Sequence, residues 1–236
     1  MKQTLCFTFV FLIGLTMSVP LKASNEKIDM QNRKTASFHG VSVSAGIDLY
    51  LTQGNSEEVV IKADPDIIDN VITEVRDGIL HIYMKKTFNM RWLQERKAYV
   101  TFKDLTRLDV SAGADAKAEN AFKLEELKIS VSSGADLEID ALTAESVWLD
   151  TSSGSDAELS GHVVNFDASS SSGSDLSCAD LVSENCVVSA SSGSDAEVHA
   201  SKTLRASASS GGDVRYKGNP AQKDINESSG GDVNRY

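Results

Sequence analysis

Cysteine, proline and aromatic residues are all scarce in this chain of 236 residues: three cysteines, three prolines, and 6% Phe, Trp and Tyr together. So few cysteines exclude a small scaffold held by disulfides. The shortage of aromatics means that a core must be filled by aliphatic and small side chains. Histidine is sparse too. His39, His81, His162 and His199 stand singly, with no His-x-x-x-His and no Cys-His cluster, so zinc chemistry is not expected. Basic residues are outnumbered, 23 Lys and Arg against 34 Asp and Glu, and the net charge is −11. The imbalance is concentrated in residues 104–236, with 23 acidic side chains against 10 basic ones. Such a surface repels nucleic acid and anionic membranes, and attracts cations or basic protein surfaces.

Long apolar runs are missing as well, apart from the start of the chain. Lys2, the run Leu5 to Leu15, then Pro20 and Leu21-Lys22-Ala23 have the layout of a secretory leader, residues 1–23, cleaved near Ala23 or Ser24. Cys6 lies within the apolar run rather than behind a small-residue cleavage site, so a lipid anchor is not expected. No later stretch approaches the ~20 apolar residues of a membrane helix. The expected location is the periplasm, the outer-membrane surface or the exterior. Cys178 and Cys186 remain after processing; both fall at inward positions of the pattern below, where buried free thiols are expected, with a single bridge as the alternative.

What the chain does have is one phrase written eight times: SAGID at 44–48, SAGAD at 111–115, SSGAD at 132–136, SSGSD at 152–156, 171–175 and 191–195, and SSGGD at 209–213 and 228–232. Its glycines are Gly46, Gly113, Gly134, Gly154, Gly173, Gly193, Gly211 and Gly230. From Gly113 the spacing drifts around a period of about 20 residues, the mark of stacked units too small to bury an apolar face alone. Counted from each glycine, odd positions are mostly apolar. Five before holds Leu108, Ile129, Leu149, Ala168, Val188, Ala206 and Ile225, and three after holds Ala116, Leu137, Ala157, Leu176, Ala196, Val214 and Val233. Even positions are mostly polar, and a period of two means strand with one face in and one out.

The expected fold is all-β: a parallel β-helix, right-handed by the rule for parallel crossovers, with about 20 residues per rung. A bend is placed at Ser-Gly-x-Asp, where in every copy from Gly113 onward the inward positions on both sides of the glycine are Ala, Ser or Gly. A helical solenoid is excluded because the repeats lack any 3.6-residue apolar period. The expected organisation is a leader (1–23), a flexible mature N-terminus (24–37), a β-rich capping region (38–103) and the repeat β-helix (104–236). Within 38–103, Ile67, Ile68, Val71 and Ile72 suggest a short helix after Asp64-Pro65-Asp66, and Asp77-Gly78 marks a hairpin.

The stretches SAGIDLYLTQG (44–54) and VVIKADPDIIDNVITEVRDGILHIYMKK (59–86), the aromatic-basic linker at Arg91-Trp92, Val100-Thr101-Phe102 and the SSGSD tail together resemble the head GIN domain family, also called autotransporter-adhesin-like and common in Bacteroidetes-type bacteria. The resemblance spans roughly residues 38–234. The triplet behind the family name reads Gly46-Ile47-Asp48 here. What the resemblance implies is an exported or cell-surface β-helical protein of adhesin-like character. With four residues after Asp232, a membrane barrel for self-transport is not expected within this sequence.

Candidate functional groups follow from the repeat. Asp115, Asp136, Asp156, Asp175, Asp195, Asp213 and Asp232 form a column with rungs about 4.8 Å apart, so neighbouring carboxylates repel and need compensation. The expected source is backbone amides and serine hydroxyls of the bend; a calcium-binding column is the alternative, and no other cofactor is expected. Serines one and two before each glycine are expected as hydroxyl ladders, one lining the corner and one facing out. Met90, Arg91, Trp92 and the outward Trp148 are candidates for a protein interface. No nucleophile with a base and no distinct carboxylate pair emerges, so the reading is a non-enzymatic adhesin-like or scaffold module that binds an unidentified protein or polysaccharide, with self-association through open solenoid ends. The alternative is a polysaccharide-binding or carbohydrate-active protein on the same fold. N-terminal sequencing of the protein recovered from the envelope should read from Ser24 or Asn25; a protein still starting at Met1 overturns the leader.

Overall fold

The corner decides the architecture. In each phrase the glycine and the residue before it, a serine or, in the first two phrases, Ala45 and Ala112, are both left-handed: φ is 60° at Ser133 and 65° at Gly134, 60° at Ser153 and 65° at Gly154. Two such residues in succession turn the chain sharply while leaving its amides aimed along the solenoid axis. Gly134 N–H donates to Ser153 O at 3.2 Å, and Asp156 N–H to Ala135 O at 3.1 Å, so the ladder between rungs continues through the bend. The turn tip also changes which residue points inward. Ser133, Ser153, Ser172 and Ser192, expected at the corner's inner face, stand exposed at the tip because the second left-handed residue swings them out. The inward small residue is the one after the glycine: Ala114, Ala135, Ser155, Ser174 and Ser194 are buried.

The structure, a computed structural model, describes residues 28–85 and 95–236. The leader 1–23 and the cluster Met90, Arg91 and Trp92 lie outside the described residues. The strands in chain order are β1 (Asp29–Asn32), β2 (Gly40–Val43), β3 (Asp48–Gln53), β4 (Glu58–Ala63), β5 (Val71–Arg76), β6 (Ile79–Met84), β7 (Arg96–Phe102), β8 (Arg107–Ser111), β9 (Asp115–Ala118), β10 (Phe122–Ser132), β11 (Asp136–Ser152), β12 (Asp156–Ser171), β13 (Asp175–Ser191), β14 (Asp195–Ser209), β15 (Asp213–Lys217), β16 (Gln222–Ser228) and β17 (Val233–Arg235). They build a parallel β-solenoid of about 6 turns with roughly 20 residues in each. The long strands bend around the coil. Between successive Ser-Gly corners the in-out alternation breaks twice more, near Ala141 and at Glu145-Ser146, giving each turn three sides.

Equivalent positions sit over one another. Leu49 pairs with Ala116, Ala116 with Leu137, and the column runs on through Ala157, Leu176, Ala196 and Val214 to Val233. Large and small side chains alternate along it, so neighbouring rungs interdigitate instead of colliding. Where the inward residue is polar, its hydroxyl is satisfied inside the coil. Ser174 Oγ donates to Ser171 O at 2.8 Å and Ser194 Oγ reaches Ser170 O at 2.8 Å. Cys178 and Cys186 are buried and free within the same interior.

The phrase at 44–48 belongs to the coil. β2 and β3 stack on β8 and β9 in the same register, with Val43 opposite Val110 and Leu51 opposite Ala118. β6 and β7 add a further turn outside them, parallel to β2 and β3. Antiparallel β5 then covers β6, and β4 with β1 covers β7, closing this end. The expected helix at Ile67–Ile72 is a single 3-10 turn, Ile68–Asn70: Asp64 O accepts the Ile67 and Ile68 amides, after which branched Val71 and Ile72 extend into β5. Asp77 and Gly78, at φ 51° and 75°, make the β5–β6 hairpin.

Two glycines separate conformation from space. A Cβ at Gly154 meets nothing within 4 Å, so Gly154→Ala should cost only the left-handed backbone term, about 1 kcal/mol. At Gly161, φ 127°, a Cβ would lie 2.1 Å from Leu142 O, so Gly161→Ala forces the rungs apart and should cost at least about twice as much. Chemical denaturation of the two variants checks this order.

Candidate functional site

The +2 aspartates are aligned by the ladder itself. Asp115 pairs with Asp136, Asp136 with Asp156, Asp156 with Asp175, Asp175 with Asp195 and Asp195 with Asp213. Asp232 follows, its amide donating to Asp213 Oδ1 at 3.2 Å. At the other end Asp48 opens β3 next to Asp115. Two residues further along each strand is a second outward column: Tyr50, Lys117, Glu138, Glu158, Ser177, Glu197 and Arg215. Between and above the two columns runs a groove of about 580 Å³, from Asp48 and Tyr50 to Asp175 and Ser177.

Electrostatically the groove is uneven. Lys117 binds Glu138 at 2.6 Å and Arg215 binds Glu197 at 3.3 Å, which neutralises the second column toward both ends. Glu158, between them, and Asp136, Asp156 and Asp175 beside it have no ion-pair partner among the described residues. Among the described residues the hydroxyl bonds of the corner serines go to backbone groups, to one another and, from Ser174, to Thr151 Oγ1, and none goes to an aspartate of the column. Partial loss of water against the groove wall raises the Asp115 carboxyl above its ordinary value, helped by Asp136 and Asp48. Asp175 is raised likewise, by burial first and then by Asp156 and Asp195, with a small offset from the Asp195 amide. Asp48 is raised by burial against the opposing pull of Lys97 and Arg96.

An aromatic pair ends the groove. Tyr50 and Tyr99 stack with ring centroids 5.0 Å apart and planes 15° apart, and Tyr99 keeps 36% of its surface exposed. The sequence offered one signal for this platform, Tyr50 at the +4 position where later rungs carry charged or small polar side chains. Trp148 faces outward but is half-buried, with Lys128 Nζ 5.4 Å from its ring centroid.

Other reactive groups are quenched or apart. Burial pushes the Cys186 thiol up to about 12 and the Cys178 thiol higher still, so both stay protonated and poorly nucleophilic. Among the described residues, no three His, Cys, Asp or Glu side chains converge as a metal ion requires. The aspartate column is a line of single carboxylates, one per rung.

The raised carboxyls set a testable sign. A group that binds its proton more tightly folded than unfolded opposes folding above its folded value, and this penalty fades as pH falls toward the ordinary aspartate value of 3.8. Asp115→Asn should therefore raise the melting temperature at pH 7 by about 1–3 °C and give no gain below pH about 4. Thermal melts at the two pH values decide it.

The profile described as "Putative auto-transporter adhesin, head GIN domain" matches residues 37–220. Solved structures share the fold. A putative adhesin from Bacteroides fragilis NCTC 9343 is 19% identical with TM-score 0.82, covering 89% of this chain and 98% of that one. A putative adhesin from Parabacteroides distasonis ATCC 8503 is 21% identical with TM-score 0.70, covering 90% and 98%. A putative lipid binding protein from the same strain is 16% identical with TM-score 0.71, covering 90% and 98%. At these identities the likeness speaks for the fold alone. No curated protein matches the chain in sequence. With the profile spanning most of its length and the corner phrase stacked as described, the chain belongs to the head GIN domain family.

Proposed function

We propose that the chain is an exported, non-enzymatic binding module of adhesin or scaffold type in the cell envelope, and that the acidic groove is its contact surface. The observation that carries this reading is the in-register aspartate column, kept at the cost of mutual repulsion and left largely without intrachain compensation. Groups that lower stability and persist together point to use elsewhere. The partner that fits presents cationic groups at a spacing near that of the rungs, about 4.8 Å or a multiple of it. The adhesin description of the family is consistent with this.

A second reading rests on the Tyr50–Tyr99 platform beside the carboxylates, which suits a polysaccharide: sugar rings stack on aromatic faces while carboxylates accept their hydroxyls. The experiment is one panel. The processed chain, its Asp136→Asn/Asp156→Asn/Asp175→Asn variant and its Tyr50→Ala variant are titrated against polycationic peptides and a glycan array, with product release measured in parallel. The first reading expects tight, salt-sensitive peptide binding that weakens at least about tenfold in the aspartate variant. Glycan binding lost with Tyr50→Ala replaces it with the second reading, and product release rejects a non-enzymatic role.

A further inference from the structure

The inward columns change character at the last turn. In the register of β14 and β16, Leu204 is followed by Lys223, Ala206 by Ile225 and Ala208 by Glu227. All three take positions that earlier turns fill with buried aliphatic or small side chains. Every residue of β16 is exposed, Ile225 at 42%. Among the described residues β16 pairs with β14 on one edge, and its other edge carries no strand. Glu227 Oε1 accepts the Val233 amide at 2.8 Å. Neither Glu227 nor Lys223 has an ion-pair partner in its own chain among the described residues.

We propose that two copies of this chain pair through β16, antiparallel about a twofold axis at Ile225, so that the two solenoids stack end to end. In that register Ile225 faces its own copy, Lys223 of each chain faces Glu227 of the second copy, and Gln222 faces Ser228. Both unused charges are matched twice, and the exposed apolar residue is covered. The alternatives are worse. A shift of two residues sets Ile225 against a charge and either Asp224 or Asn226 against itself, and a shift of one residue sets inward side chains against outward ones. The charges that make β16 a poor template for an arbitrary strand make it specific for itself. At the opposite end β4 and β5 cover the last parallel turn in antiparallel fashion, so the contact closes as a dimer and does not propagate into a fibre. This inference is independent of what the acidic groove binds.

The test is sedimentation equilibrium of the processed chain with charge reversals at the proposed contact. The wild type should be dimeric. Lys223→Glu and Glu227→Lys should each place like charges opposite one another and raise the dimer dissociation constant at least about tenfold. An equimolar mixture of these two single variants should recover a heterodimer, because its pairs are again opposite in sign, and the double variant should recover the homodimer. Ile225→Cys should form an intermolecular disulfide on mild oxidation. A wild type that stays monomeric at about 1 mM, a dimer indifferent to both reversals, or two monomeric single variants that fail to associate when mixed would each overturn the proposal.

Discussion

Everything in this molecule depends on a hydrogen-bond ladder that does not stop at the corner. A chain that turns usually breaks its pairing with the neighbouring strand, and each break exposes amides that need water or a side chain. Here a pair of left-handed residues per turn, such as Ser153 and Gly154, holds the amides parallel to the axis, and Gly154 N–H meets Ser172 O in the following rung. Register is thereby fixed once per turn. The aliphatic stacks, the hydroxyl contacts inside the corner and the alignment of acids outside are all consequences of that single fixed point.

The same constraint that builds the core produces the groove. Placing Leu137 over Ala157 over Leu176 places Asp136, Asp156 and Asp175 in line one residue earlier. A solenoid cannot stack its apolar residues without also stacking whatever lies between them. The coil tolerates this because the carboxylates face water, where repulsion at rung spacing is about 1 kcal/mol. Lys117 and Arg215 relieve the second column near its ends, and the middle of the groove is left with its full charge.

Much of this was legible in the sequence, and the exceptions have physical reasons. The period of the phrase and the apolar odd positions gave the rungs, the stacking and the position of the bend. Periodicity did not give the direction of the serine before each glycine. Parity puts Ser133 inside, but parity holds only while residues stay extended, and two left-handed residues suspend it. The role of Gly161 was also hidden, since it lies outside the phrase and its need arises from Leu142 in the preceding turn. For the candidate site, the aspartate column was readable as a repeat, whereas the stacking of Tyr50 on Tyr99 was not, because the two tyrosines are brought together by strands far apart in sequence. The departure of Lys223 and Glu227 from the inward columns emerges only from the register of β16 on β14, where they follow Leu204 and Ala208.

The stacking of β2 on β8 joins segments 67 residues apart, as in the contact of His39 with Thr106, while every later turn closes after about 20. Chain-closure entropy grows with the logarithm of loop length, so this junction carries about 1 kcal/mol more entropy than a local one. Closing a local turn is thus the cheaper step, and docking the N-terminal cap carries the longer-range cost. Without β2 and β3 in place, the edge of β8 and β9 that they cover would present unpaired backbone groups.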